Sequence, residues 1–268
     1  MNRAWMLGFL LLCVPGNGTA LSSSPFMLDQ KEATHMGLQI WRNECGGKRE
    51  GLTSWNQGEE FASLGIGHFI WYPEGEQGPF KEMFPSLLAF LKQHGVSLPT
   101  WLNAHAGCPW QSREKFLQAQ NDPNMEELRQ ILIDHIDLQI CFMVERLHRA
   151  LPTLLKHAHS DKKEHVASQF YRLAQTPNGL YVLLDYLNFK GEGVSFQECY
   201  NGQGWGLLQV LERMEGVAPG TPAIQEFAQA AKEVLHVRVQ NSPAERREQR
   251  WIKGWCNRIE SYLSFRLV

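Results

Sequence analysis

Residues 31–43 place Met36, Ile40 and Trp41 near one face and charged or amide side chains opposite, which is the 3.6-residue period of an amphipathic helix. Cys45-Gly46-Gly47 ends that helix. From 51 to 72 the pattern changes. Gly51, Asn56-Gln57-Gly58, Gly65 and Gly67 punctuate short runs of Thr, Trp, Phe, Ile and Tyr, which predicts a small antiparallel hairpin or sheet closed by Pro73-Glu74-Gly75. Helical periodicity then continues almost to the end, near 80–94, 110–119, 125–149, 161–175, 178–188, 205–215, 222–238 and 243–264. Asp122-Pro123 and Ser242-Pro243 are helix starts, because proline in a first turn lacks only an N–H that would have no partner there. One helix, one small sheet and then many helices is an α+β order. There is no internal repeat and no low-complexity stretch, so residues 21–268 are expected to form one domain.

The first twenty residues stand apart. Arg3 precedes an apolar run over 5–14, Pro15-Gly16 breaks it, and Gly18-Thr19-Ala20 supplies small residues, which together predict a signal peptide cleaved after Ala20. The apolar run is about half the ~20 residues that a spanning helix needs. With no longer apolar segment downstream, the expectation is a periplasmic or secreted protein without a membrane anchor. The formal net charge of −2 offers no basic excess for nucleic acid. Cys13 would leave with the leader, and Cys45, Cys108, Cys141, Cys199 and Cys256 remain at wide spacings without a CxxC. That argues against a zinc cluster. An oxidising compartment permits disulfides, but these spacings do not fix a pairing. Cys141 lies in the apolar phase of a long helical pattern and is expected as a buried thiol.

The run NECGG, 43–47, sets a carboxylate at the end of the first helix. A Glu there is held by a rigid element and faces what lies beyond it, while the negative end of the helix dipole and apolar neighbours such as Trp41 disfavour the ionised form. A carboxyl group kept protonated can donate a proton to a leaving sugar oxygen. A hairpin directly after the helix can supply a second polar group. Glu59, Glu60 and Ser63 lie on it, and strand alternation would put Glu59 and Glu60 on opposite faces, with Glu60 slightly favoured to look into a cleft.

Helix, terminal Glu44, glycines, a hairpin and then SLGIGHF (63–69) resemble the phage-type lysozymes, in which a catalytic Glu ends the first helix and a T-x-G-x-G-H turn closes the adjacent hairpin. The resemblance covers residues 31–72. It implies a mainly helical lysozyme-like fold, Glu44 as general acid, Ser63 in place of the threonine that positions water, and Gly65, Gly67 and His68 as a structural turn. The position of the family's catalytic Asp falls on Gln57, which cannot act as a base, so Glu59 or Glu60 would have to substitute.

A later stretch, NFKGEGVSFQECYNGQGWGLLQVL (188–211), is glycine-rich, aromatic and acidic. It faintly resembles the lytic transglycosylase pattern of a Glu ahead of a G-L-M-Q helix start, here Glu192 before Gly206-Leu207-Leu208-Gln209. The fuller expectation is a second wall of one sugar cleft, with Glu192 as a further candidate carboxylate and Lys190, Tyr200 and Trp205 as binding residues facing the hairpin. Trp55 and Trp205, each flanked by loop residues, are the tryptophans expected to be exposed for stacking. His157, His159 and His165 with Asp161 and Glu164 could be a metal group, but the intervening lysines point to a solvated loop, and no metal or other cofactor is expected. The sequence therefore predicts an exported glycosidase acting on β-1,4-linked amino sugars, peptidoglycan first and chitosan-type chains second. The rivals are a non-catalytic glycan-binding or scaffold protein and a lytic transglycosylase.

Overall fold

The computed structural model describes residues 28–103 and 107–267, so the expected leader and its expected cleavage site lie outside the described residues. Helix α1, Gln30–Cys45, starts from a reciprocal cap in which Asp29 accepts the Glu32 N–H and Glu32 accepts the Asp29 N–H. Its buried face is Ala33, Met36, Gly37 and Ile40. Gly46 and Gly47, both at positive φ, turn the chain back and return their N–H groups to the carbonyls of Arg42 and Trp41. Glu44 is thus inside the last turn of the helix.

Strands β1 (Thr53–Ser54), β2 (Ala62–Leu64) and β3 (Phe69–Trp71) form an antiparallel sheet in that order. Pairing of Ser54 with Ser63 and of Ser63 with Ile70 puts these three on one face, while Thr53, Leu64 and Phe69 form a row on the other. The α+β, mainly helical class read from the sequence is the class observed.

The helices that follow are α2 (Phe84–Gln93), α3 (Arg113–Gln118), α4 (Pro123–Asp134), α5 (Ile136–His157), α6 (Lys163–Ala174) and α7 (Pro177–Lys190). A short hairpin, β4 (Cys199–Tyr200) and β5 (Gln203–Gly204), precedes α8 (Leu207–Leu211), α9 (Thr221–Asn241) and α10 (Gln249–Ser264). Its turn is Asn201-Gly202 with both residues at positive φ, as a tight two-residue hairpin requires. Helix α5 is the central element, buried over most of its first half and packed by α1, α2, α6 and α7. Among the described residues no helix is long and apolar enough to cross a membrane.

The continuous helix expected over 125–149 is two helices broken at His135, which leaves the helical region at φ −124°, ψ 39°. Gln139, fully buried in α5, explains how the break is tolerated. Its Nε2 donates to the Leu132 carbonyl at 2.6 Å, and its Oε1 accepts the Ile66 N–H at 2.9 Å. The same side chain therefore satisfies the end of α4 and pins the turn between β2 and β3. Gln139→Leu would leave both main-chain groups buried without partners, at about 1–3 kcal/mol each. Chemical denaturation should show a loss of that order, and the turn around Ile66 should lose amide-exchange protection.

All five described cysteines are free thiols. Burial pushes Cys108 up to about 12 and Cys141 up to about 11, so neither is a reactive thiolate at neutral pH. Among the described residues no group of three histidine, cysteine or carboxylate side chains could hold a metal ion, and His159 meets only Asp161 on the surface.

Candidate functional site

Three helices and one turn converge on Glu44. From α10, Arg258 donates Nη2 to Glu44 Oε1 at 2.6 Å, and from α7, Asn188 donates Nδ2 to the same oxygen at 3.1 Å. Oε2 has no hydrogen-bond partner among the described residues and faces His68 Nδ1 at 4.0 Å. The side chain is 14 % exposed. One carboxylate oxygen is held by two donors while the other is left open.

His68 is placed by the glycine turn. Gly65 adopts φ +77°, and a Cβ there would come within 2.5 Å of Gln139 Oε1, so the turn requires glycine for both conformation and space. His68 itself adopts φ 49° and sets Nε2 3.2 Å from the Gly51 carbonyl. A carbonyl only accepts, so Nε2 carries the proton and Nδ1 is the ring atom turned to Glu44.

Behind Glu44 lies Asp185 of α7, which is fully buried and accepts four hydrogen bonds. Arg258 gives Nε and Nη2 at 2.8 Å each, Tyr262 gives its hydroxyl at 2.6 Å, and Asn43 gives Nδ2 at 3.1 Å. Burial alone would raise this carboxyl, but the Arg258 guanidinium and the other donors outweigh it and hold Asp185 below the usual carboxylate range. Burial, together with the Asp185 charge and against that of Arg258, keeps the Tyr262 phenol far above its ordinary value. Asp185 and Arg258 are thus the scaffold on which Glu44 is held.

Asn188 connects this cluster to the loop after α7. Its Oδ1 is 3.5 Å from Arg146 Nη1, and Arg146 carries the opposing charges of Glu192 and Glu198. Burial raises Glu198, against the Gly193 N–H that binds it at 2.7 Å. Glu192 is half-buried, and the carbonyls of Gly191 and Glu192 accept the first N–H groups of α8. Gln209 is a packing residue of this loop, accepting from Gly206 and donating to the Gly193 carbonyl. The G-L-L-Q segment is therefore a helix start closed onto the loop. The rest of the loop packs on α9, whose Arg238 donates two bonds to Glu248 at the start of α10, and Glu248 also accepts the Tyr200 hydroxyl.

Other expected site residues lie elsewhere. Glu59 and Glu60 sit in the turn ahead of β2 and not in a strand, so alternation does not apply to them. Glu59 caps that turn through Asn56, and exposed Glu60 lines a cleft of about 430 Å³ with Tyr72, Gln111 and Arg113. No described contact joins either to Glu44. Ser63 is buried on the central strand. The two tryptophans expected to be exposed are not: Trp55 is 5 % exposed, edge-on to Phe116 and bonded to the Glu59 carbonyl, and Trp205 is 6 % exposed beneath Arg238 and Tyr200. Short loops flank both, but each indole is folded inward as core. Lys190 is also buried, with Nζ 3.9 Å from the Phe189 ring centre and 3.5 Å from that of Trp255.

Asp185, Asn188, Arg258, Arg146 and Tyr262 escaped the sequence reading. Asp185 carried a signal, being a lone acid in the apolar run LYVLLDYLNF, since a buried charge needs a partner. Comparison with known protein families, with curated proteins and with solved structures gives no match.

Proposed function

We propose that this chain is a lysozyme-like enzyme that cleaves β-1,4-linked amino-sugar polymers, peptidoglycan first, with Glu44 protonating the leaving oxygen. The observation that carries this reading is the asymmetric hold on Glu44, with Oε1 fixed by Arg258 and Asn188 and Oε2 open beside His68. A proton delivered from Oε2 leaves a carboxylate whose charge Arg258 and Asn188 already receive, so the donors are in place for the charge that develops. Ser54 shares a sheet face with buried Ser63 and spends its hydroxyl proton on the Gly51 carbonyl, so the water-positioning role expected of Ser63 has no support in its surroundings. Among the expected second carboxylates, Glu192 follows the end of α7, the helix that carries Asn188, and its charge acts on Arg146, whose Nη1 lies 3.5 Å from Asn188 Oδ1.

One observation favours the single-acid alternative. Asp185 accepts four hydrogen bonds and cannot serve as a base, and Glu59 and Glu60 share no contact with Glu44. A lytic transglycosylase needs only one Glu. Incubation with purified sacculi separates the readings by product. New reducing ends mark hydrolysis, anhydro ends mark the transglycosylase, and intact strands after exhaustive incubation refute cleavage and leave the glycan-binding protein.

A further inference from the structure

The chain has a formal net charge of −2, yet its cations are not spread evenly. Arg246, Arg247, Arg250 and Lys253 are exposed around the start of α10, and Glu245 is the single exposed acid between residues 243 and 257. The other acid of that segment, Glu248, is buried and held by Arg238, and the next along the helix, Glu260, is paired with Lys232. At about 3.6 residues per turn, Arg250, Trp251, Lys253, Gly254 and Asn257 share one outward arc of α10, while Ile252 and Ile259 point inward. Trp251 stands among these cations with 41 % of its surface exposed. Gly254 places no side chain beside it, and a Cβ there would meet nothing within 4 Å, so the glycine answers no packing need inside the molecule and leaves the indole clear. A second apolar tip belongs to the same region. Phe196, 96 % exposed, sits in the turn before β4, and that hairpin docks on the start of α10, where the Tyr200 hydroxyl accepts Arg246 Nη1 at 3.1 Å and donates to Glu248.

Large apolar side chains that project from among cations suit an interface that is anionic at its surface and apolar beneath. We propose that the start of α10, with the Phe196 turn, is a docking surface for an anionic phospholipid bilayer. The four cations meet headgroup phosphates, and Trp251 and Phe196 enter the headgroup layer, where an indole finds both an apolar and a polar partner. Charge complementarity sets the sign of the partner, because four exposed cations face one exposed acid on this surface of an otherwise acidic chain. A soluble anionic polymer would satisfy the cations but would give the Phe196 ring no apolar layer to enter. A sugar strand fits Trp251 less well, because Arg250 lies 4.5 Å over its ring centre and Trp255 packs 6.0 Å away, so a stacking sugar would have to displace one of them. Contact is peripheral, since no described helix is long and apolar enough to cross a bilayer. This surface does not depend on the glycosidase reading, because vesicle binding is assayed without glycan.

The test is sedimentation of the full-length chain with vesicles of phosphatidylglycerol mixed into phosphatidylcholine, and with vesicles of phosphatidylcholine alone, at low and high salt. The wild type should bind the anionic vesicles and not the neutral ones, and salt should weaken the binding. Arg250→Gln combined with Lys253→Gln should weaken it by about fivefold for each cation, so about 25-fold together. Trp251→Ser combined with Phe196→Ser should weaken it at least about tenfold. All four positions are exposed, so both double variants should unfold as the wild type does. Amide exchange on the wild type needs no variant and separates this face from the apolar run over 5–14: residues 246–254 should gain protection on anionic vesicles. Equal binding to both vesicle types, binding that survives both double variants, or unchanged exchange over 246–254 overturns the proposal. Absence of vesicle binding also overturns it, and retention of heparin in that case marks the face as a site for an anionic polymer instead.

Discussion

Asp185→Asn is expected to lower the stability of the folded chain by about 3–5 kcal/mol, the range found when one member of a buried ion pair is removed. The carboxylate is fully buried and receives four hydrogen bonds from α1 and α10, so its loss loosens the junction of α1, α7 and α10. Asparagine keeps the shape but not the charge, and Arg258 would be left with Glu44 alone. The pH dependence carries the sign. Asp185 is held below its unfolded value, so its contribution is fully present above about pH 4, the ordinary Asp value, and is lost as pH falls through the folded one. The stability gap between wild type and Asp185→Asn, measured by denaturant titration, should therefore be constant from about pH 5 to 7 and narrow below about pH 4. A variant as stable as wild type at neutral pH would show that Asp185 is not the anchor of this junction.

The parts of this molecule that were legible in sequence are those written by local rules. Periodicity located α1, and the Gly46-Gly47 cap fixed where it stops. Glycine punctuation located the three-stranded sheet and the His68 turn. What could not be read was set by long-range partners. Glu44 and Arg258 are far apart in sequence, and nothing near either residue announces the other. His135 lies in a pattern whose apolar phase continues across it, so the break between α4 and α5 rests on Gln139 bonding a distant turn. The tryptophans failed for a related reason: polar neighbours in sequence say little about which way an indole packs, and Trp55 and Trp205 both found aromatic partners inside.

The second large effect concerns Glu44. Glutamine in its place can still accept from Arg258 and Asn188 through its amide oxygen, so the hold on the side chain is kept in outline while the transferable proton is removed. General acid catalysis is worth ~10²–10⁴-fold, and cleavage should fall by that order. Stability should fall far less than in Asp185→Asn, because Asp185 continues to pair with Arg258 in the glutamine variant. A positioning role for Asn188 can be told apart from this. Asn188→Ala leaves the acid in place but removes one of the two donors to Oε1, so turnover should drop by less than it does in Glu44→Gln.

Glu44 as the acid is tested by the rate at which purified sacculi are cleaved by wild type and by Glu44→Gln, taken with thermal unfolding of both under the same conditions. Cleavage by the wild type, a loss of at least about 10²-fold in the variant and closely similar unfolding transitions are expected. Equal rates in the two proteins, or a wild type that leaves every glycan strand intact, would contradict that role.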